Sequence, residues 1–158
     1  MKEKIEKTNV MRVLDHHGIA YESYSYDNMT LSSSELADSV GVDRDGMFKT
    51  LVTVGKSGQN YVFMVPSAGE LDLKKAAQVT GEKSIEMIPQ KALLPLTGYI
   101  HGGCSPIGMK KQLPTFIDRA AEGKTHIAFS GGKVGRQVKM APAELYKVIN
   151  VKSADIAK

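Results

Sequence analysis

The sequence predicts an α+β fold, in which helices pack around a mixed β-sheet. Segments with the alternating or short apolar patterns of strands outnumber those with helical spacing. Some of these strands follow one another through short turns, whereas others are separated by a helix. A chain of 158 residues can bury the core of one compact domain, and no internal repeat or linker divides it. We therefore expect a single domain over residues 1–158.

Cap and stop residues mark the predicted helices. Ser32 and Glu35 have the spacing of a capping box, and they open a helix that ends at Gly41. Similar signals bound three further predicted helices, at 8–18, 72–81 and 142–149.

Apolar and β-branched runs mark the predicted strands. The clearest strand spans 47–54 (MFKTLVTV), and the next spans 61–65 (YVFMV). The polar, glycine-containing segment GKSGQN joins them as a hairpin turn. Shorter strands are predicted at 21–26, 84–88, 99–101, 115–117, 125–129 and 138–140.

Composition limits where the protein can act. A single cysteine, Cys104, excludes an intramolecular disulfide and a cysteine-based metal cage, which is usual for a cytoplasmic protein. The charged start at 1–5 lacks the apolar segment of a secretion signal. No apolar run reaches the roughly 20 residues of a membrane span. We expect a cytoplasmic protein with no membrane contact, and its net charge of +4 is compatible with a polyanionic partner.

The common catalytic motifs are missing. The four histidines show no metal-ligand spacing, and the sequence has neither a GxSxG elbow nor a Walker loop. We therefore expect no bound metal, no cofactor and no standard triad. What remains is a set of glycine-rich loops, each beside a predicted strand and a basic residue.

The longest of these loops reads GYIHGGCSPIGMKKQLPTFID and spans 98–118. Gly102 and Gly103 permit positive φ angles and the close approach of a ligand. Exposed amides in such a turn can bind an anion or a developing oxyanion. The alternative is a tight surface turn beside the solvated pair Lys110 and Lys111.

Three other positions each allow both a functional and a structural interpretation. Ser130 leads into an SGGK loop, where its hydroxyl can bind a substrate or shape a turn. Lys49 lies in an apolar strand and faces either solvent or a pocket. Tyr26 and its neighbouring tyrosines can stack on a base or pack across strands. Nothing around Cys104 indicates an activated thiol, so we expect it to pack in the interior.

The segment SELADSVGV offers a different hypothesis, a helix-turn-helix that reads DNA. Its second helix would run over 43–51, which contains Gly46 and merges into β-branched residues. A recognition helix needs a full-length exposed face, so we do not expect DNA as a partner.

In their order along the chain, these loops resemble the YbaK/EbsC family of trans-editing proteins. The long GYxxGGxSPxGxKKxLP pattern is highly specific, and the matches span nearly the whole chain. Related domains that clear alanine lack this combination, which favours the cysteine-clearing branch. The matching segments are FKTL at 48–51, GELDLKK at 69–75, TGYIHGGCSPIGMKKQLPTFID at 97–118, SGGKVG at 130–135 and AELYKVINVKSADIA at 143–157.

The resemblance implies a barrel-like mixed β-sheet with flanking helices, also found as an editing insertion in some prolyl-tRNA synthetases. It implies a cofactor-free deacylase that acts on the acceptor end of tRNA(Pro) carrying cysteine, with prolyl-tRNA synthetase as a partner. The implied catalytic residues are Lys49, at the position of a pocket lysine, and Gly102, whose backbone contacts the aminoacyl ester. The implied substrate-binding residues are Tyr26, Gly103, Ser130, Gly131 and Gln137.

The family's mechanism, as the resemblance implies it, lets the thiol of the substrate attack its own ester, so that the tRNA hydroxyl leaves and a cyclic thioester departs. The protein then has only to orient the thiol and stabilise the oxyanion. One position departs from the family pattern, which has an aspartate where this chain has Gln137. An amide keeps a hydrogen bond but carries no charge and cannot act as a base.

Besides a transcription regulator that uses the segment 34–51, two alternatives remain open from the sequence alone. One is a module that binds aminoacyl-tRNA or the synthetase without turnover. The other is a deacylase that clears alanine or a broader set of amino acids.

Overall fold

A computed structural model describes residues 6–27 and 30–158. The helices and strands within these residues are α1 Asn9–His16, β1 Glu22–Ser25, α2 Ser33–Val40, β2 Phe48–Gly55, β3 Asn60–Pro66, α3 Leu73–Thr80, β4 Ile85–Met87, α4 Gln90–Thr97, β5 Thr115–Asp118, β6 Ile127–Ser130, β7 Arg136–Met140, α5 Pro142–Val148 and β8 Val151–Ala154.

The strands form two sheets, and the larger one is mixed. Its order is β4-β2-β3-β5-β8, with β4, β2 and β3 antiparallel and with β5 and β8 parallel to β3. The smaller sheet is antiparallel, with the order β1-β7-β6. An isolated bridge between Met47 and Ala128 connects the two sheets. The predicted α+β class with a mixed sheet is confirmed, although the strands of the described residues make two sheets and not a closed barrel.

The larger sheet is covered on both faces. Neighbouring residues of a strand point to opposite faces, and in β3 Val62 and Met64 join the main core while Phe63 and Val65 join a second cluster. A strand buried on both faces has no polar side, which explains why YVFMV is a continuous apolar run.

Three helices begin at the side-chain caps that the sequence predicts. Thr8 accepts a hydrogen bond from the N–H of Met11 at 3.2 Å. Ser32 and Glu35 form the complete capping box of α2. The carboxylate of Asp72 accepts from two backbone N–H groups of α3. Each cap satisfies donors that a helix start leaves unpaired, which stabilises the helix by about 1 kcal/mol.

Three elements differ from the prediction. The sequence reading misses α4, because Pro95 lies inside it and removes a backbone donor. The predicted strand at 99–101 is a turn, since Gly98 ends α4 with a φ of 87° and the N–H of Gly103 donates to the carbonyl of Ile100. The sequence patterns also do not predict β8, which follows the last helix and pairs with β5.

Two observations concern the partners considered above. The segment proposed as a DNA recognition helix is a short 3-10 turn, Arg44–Gly46, that leads directly into β2, so the helix-turn-helix hypothesis is excluded. In the parts of the chain that the structure describes, no helix has the length and apolar character needed to cross a membrane.

Candidate functional site

A cavity of about 410 Å³ opens between the two sheets, beside the first half of β2. The strand β4 pairs with β2 only from Thr53 onward, so the earlier edge of β2 has no neighbouring strand on that side. Most of the wall is formed by residues 47–52, by residues between 87 and 93, and by the glycine loop after α4. Ser130 at the end of β6 and Gln137 of β7 complete this part of it. No Asp or Glu among the described residues lines the cavity. The ionisable side chains in its wall are Lys49, His101 and Cys104.

The backbone of Thr50 faces this open edge. In an antiparallel strand, the N–H and C=O of one residue point to the same edge, and every second residue shares that edge. The carbonyl of Val52 accepts from the N–H of Ile88 on the β4 side, at 3.3 Å. The N–H and C=O of Thr50 therefore point to the same side, where the cavity takes the place of β4.

Two residues of the cavity wall each have a buried side-chain oxygen without a hydrogen-bond partner in the described part of the chain. Among the described residues, the buried side-chain atoms without a hydrogen-bond partner are Thr50 Oγ1 and Gln137 Oε1, and both residues line the cavity. A buried polar atom left unpaired costs about 1–3 kcal/mol, so proteins rarely keep one without a reason. A ligand that hydrogen-bonds to both atoms would remove this cost.

Lys49 brings positive charge to the wall. Its side chain is partly buried on β2, and no carboxylate of the described residues lies within ion-pair distance of it. The pKa of Glu70 is lowered mainly by its hydrogen bond from Lys158, and the positive charge of Lys49 makes the smallest contribution. An ammonium group in a wall without carboxylates suits a ligand that carries or develops negative charge.

The glycine loop after α4 is anchored in the core on both sides of Gly102. Tyr99 is buried, and its hydroxyl donates to a backbone carbonyl later in the loop. Asn9 of α1 donates to the carbonyl of Gly108 at 3.0 Å. Between these anchors, Gly102 lines the cavity with a φ of 85°, and no acceptor among the described residues takes its N–H. That amide is therefore available to a ligand.

Gly103 lies outside the wall, where it allows two loops to pack closely. A Cβ at Gly103 would lie 3.1 Å from the nitrogen of Val134 and 3.2 Å from backbone carbons of Lys133. Backbone atoms cannot move aside as the end of a long side chain can, so a larger residue would push the loops apart.

Gly103→Ala is expected to lower the free energy of unfolding by about 1–3 kcal/mol, the usual cost of overpacking. Gly69→Ala is the matched control, because a Cβ there would meet only an ordinary contact, 3.5 Å from the carbonyl oxygen of Pro66. Urea denaturation of the two variants and the parent protein measures the difference. A Gly103→Ala protein as stable as Gly69→Ala would contradict the close loop contact.

The hairpin of β6 and β7 supplies Ser130 and Gln137, which lie opposite each other in register and line the cavity. The hydroxyl of Ser130 accepts from the N–H of Gly132 at 3.2 Å. Gly131 does not line the cavity, and its N–H donates to the carbonyl of Arg136 at 2.9 Å. These bonds fix the hairpin turn next to the two cavity residues.

Tyr26 reaches the cavity through Gln137. The Nε2 of Gln137 donates to the hydroxyl oxygen of Tyr26 across 3.4 Å, a long hydrogen bond. The N–H of Tyr26 donates to the carbonyl of Gly135 at 2.9 Å, which holds the tyrosine beside the hairpin. Because Nε2 faces Tyr26, the amide presents Oε1 as a free acceptor.

The cavity offers no activated nucleophile among its described side chains. Burial raises the pKa of the Cys104 thiol to about 12, so it stays protonated at neutral pH. Within the described residues, Thr50 Oγ1 has no partner and Ser130 Oγ accepts only from a backbone N–H, so neither hydroxyl donates to a described imidazole or carboxylate. A reaction in this cavity therefore needs a nucleophile from the substrate or from solvent. Separately, no three His, Cys, Asp or Glu residues in the described ranges are grouped to hold a metal ion.

The structure brings together part of the predicted site. The predicted residues that line the cavity are Lys49, Gly102, Ser130 and Gln137. The predicted residues that do not line the cavity are Tyr26, Gly103 and Gly131. The sequence reading passes over Thr50 and His101, which also line it. No motif distinguishes Thr50, whose signal is the unpaired edge of β2.

Sequence comparisons show which protein family this chain is similar to. Residues 28–148 match the model of the aminoacyl-tRNA editing domain family. The chain is 42% identical over 157 residues to EbsC of Enterococcus faecalis, named as a candidate Cys-tRNA(Pro)/Cys-tRNA(Cys) deacylase; the match covers 98% of this chain and 96% of that protein. It is 28% identical over 115 residues to a proline–tRNA ligase of Shouchella clausii, with 72% of this chain covering 20% of the ligase.

A solved structure has the same fold. It is described as a candidate trans-editing enzyme for prolyl-tRNA synthetase, and it superposes with a TM-score of 0.85 at 27% identity, over 95% of both chains.

Proposed function

We infer the function of this chain from its family, because it belongs to the aminoacyl-tRNA editing domain family and to its YbaK/EbsC group. We propose that it is an aminoacyl-tRNA deacylase acting in trans. Its proposed substrate is tRNA(Pro) mischarged with cysteine, and its proposed partner is prolyl-tRNA synthetase. The named relatives support this direction, since one is a candidate Cys-tRNA deacylase and another is a proline–tRNA ligase.

One observation supports the mechanism above all. The cavity combines a lysine, a free glycine amide and two unpaired polar atoms with no activated side-chain nucleophile among the described residues. Its volume of about 410 Å³ lies in the range of small-ligand sites, large enough for an aminoacylated nucleoside. Cysteine brings its own nucleophile, a thiol that ionises far more readily than the hydroxyl of serine, so a cavity of this kind has only to position it.

The proposed reaction is an intramolecular acyl transfer. The sulfur of the cysteinyl group attacks its own ester carbonyl, so a carbon–sulfur bond forms and the carbon–oxygen bond to the ribose breaks. The thiol proton ends on the departing ribose hydroxyl. The products are free tRNA and a four-membered cyclic thioester, which water opens to cysteine. No oxidant, reductant or cofactor enters the balance.

Each polar group of the wall has a proposed task. Lys49 and the N–H of Gly102 stabilise the oxyanion that develops on the ester carbonyl. The Oε1 of Gln137 accepts a hydrogen bond from the α-ammonium group, and Tyr26 positions that amide. The hydroxyl of Ser130 binds the ribose beside them.

A turnover experiment tests this proposal against a binding module. Cysteinyl-tRNA(Pro) is supplied in a large excess over protein, and free tRNA and cysteine are measured with time. We expect many equivalents of product for each protein molecule, above the rate without protein. Tight binding with no release beyond one equivalent would support a non-catalytic module instead.

Thr50→Val is expected to separate activity from stability. Valine keeps the shape but removes the unpaired Oγ1, so the free energy of unfolding should stay equal or rise. If Thr50 binds the substrate, kcat/KM should fall about fivefold to tenfold, as for the loss of one hydrogen bond of about 1 kcal/mol. Denaturation and deacylation rates, measured on the same preparation, give the two quantities.

Thr53→Val is the matched control on the same strand. The hydroxyl of Thr53 is fully buried and donates to the carbonyl of Tyr61 at 3.1 Å, outside the cavity wall. Its loss should therefore lower stability and leave kcat/KM near the parent value. Two variants that behave alike would argue against a substrate contact at Thr50.

A further inference from the structure

A groove of about 470 Å³ adjoins the cavity and shares part of its wall. The shared residues are Gln90, Leu93 and His101. Lys91, Leu94 and Ile100 complete the groove, and they belong to α4 and to the turn that follows it. A ligand that fills the cavity can therefore extend into the groove without crossing another element.

The groove exposes apolar surface that the fold itself does not use. Leu94 is 50% exposed and Ile100 is 55% exposed, whereas Leu93 in the same groove is buried. Two large aliphatic side chains next to each other at the mouth of a binding cavity can pack against the flat face of a ring. Contact of this kind tolerates any base, because every base has such a face.

The charge around the groove is one-sided. The stretch 87–117 contains three lysines and no Asp or Glu. The stretch 123–143 contains four Lys or Arg and no Asp or Glu, and two of these four, Lys124 and Lys139, pair with Asp45 and Glu22. These stretches supply the glycine loop and the hairpin of the cavity wall. In the groove itself, Lys91 is exposed and has no carboxylate of the described residues within ion-pair distance. The groove therefore complements an anionic ligand with an apolar face.

We infer that this groove binds the penultimate nucleotide of the tRNA acceptor end. The inference rests on the proposed function, which places the terminal aminoacylated adenosine in the cavity. The strand leaves the cavity past Gln90 and His101, the next base packs on Leu94 and Ile100, and Lys91 pairs with its phosphate. The groove thus acts as a sequence-tolerant nucleotide subsite, distinct from the cavity where the ester reacts.

Two short substrates test this subsite directly. They are the cysteinyl ester of adenosine and the cysteinyl ester of the dinucleotide cytidylyl-adenosine, each measured against its rate without protein. We expect the parent protein to prefer the dinucleotide ester by about tenfold in kcat/KM, as for the burial of roughly 50 Å² of apolar surface. Ile100→Ser and Lys91→Gln should each reduce this preference by about twofold to fivefold and leave the adenosine ester unaffected. With whole cysteinyl-tRNA, Lys91→Gln should also reduce the slope of log kcat/KM against log salt by about 0.7.

Lys152→Gln and Val79→Ser are the matched controls. Lys152 lies on β8, at the opposite edge of the sheet from β4, and Val79 is an exposed aliphatic residue of α3. Neither should change the preference. A parent protein that clears cysteinyl-tRNA but treats both short esters alike would overturn the subsite alone, as would a preference that both groove variants retain. A parent protein that clears no cysteinyl substrate would overturn the proposed function itself.

Discussion

Replacing Lys49 by alanine is expected to lower kcat/KM for cysteinyl-tRNA(Pro) by about 10²–10³-fold, the usual cost of losing one group that stabilises an oxyanion. Lys49 is the only lysine or arginine in the described wall of the cavity, and no carboxylate of that wall competes for it. The loss should appear in kcat more than in KM, because the charge on the carbonyl oxygen develops only in the transition state. Single-turnover rates on mischarged tRNA measure this step without product release.

Lys49→Arg is the matched control for charge. It keeps the positive charge at the same position of β2 but changes its shape, so an intermediate rate is expected. The thermal midpoints of both variants should stay near that of the parent protein, since Lys49 is only partly buried and makes no ion pair with a described residue. A Lys49→Ala rate within twofold of the parent, or a larger loss in His101→Gln, would assign the chemistry to another group of the wall.

Removing the thiol from the substrate is expected to have the largest effect of all. Seryl-tRNA(Pro) and S-methylcysteinyl-tRNA(Pro) keep the tRNA and the ester but lack an ionisable thiol. Their deacylation should be slower by roughly 10³-fold or more, since removing the covalent nucleophile of an enzyme costs up to about 10⁶-fold. The comparison isolates the thiol, because the protein is the same in every reaction.

Alanyl-tRNA(Pro) completes this series as a substrate of similar size without any side-chain nucleophile. We expect it to behave like the seryl ester and to be cleared barely above the rate without protein. Equal rates for the cysteinyl, seryl and alanyl esters would show attack by water. In that case His101, the imidazole in the described cavity wall, becomes the residue to test as a general base.

Local signals in the sequence were sufficient for much of the fold. The Ser32 and Glu35 capping box, the Asp72 cap and the apolar run of β3 each act over a few residues, so a reader of the sequence can place them. Helix α4 was not predicted because a proline such as Pro95 normally breaks a helix. Here the helix is only two turns long and tolerates the missing donor. Strand β8 was not predicted because its four residues become a strand only by pairing with β5.

Some residues of the candidate site could likewise be predicted from the sequence, and one could not. Lys49, Gly102, Ser130 and Gln137 were reached through glycine-rich motifs and a family resemblance, and the structure places them around one cavity. Thr50 could not be found like this, because its backbone is free only where β4 is too short to cover β2. Long-range pairing of this kind leaves no pattern in the neighbouring residues.

The most direct test of the central claim compares the initial deacylation rates of Cys-tRNA(Pro), Ala-tRNA(Pro) and Pro-tRNA(Pro) with purified protein, each corrected for its rate without protein. We expect rapid loss of cysteine and little loss of alanine or proline. Clearance of alanine at the rate of cysteine would contradict the thiol mechanism, and no clearance of any of the three would contradict the catalytic assignment.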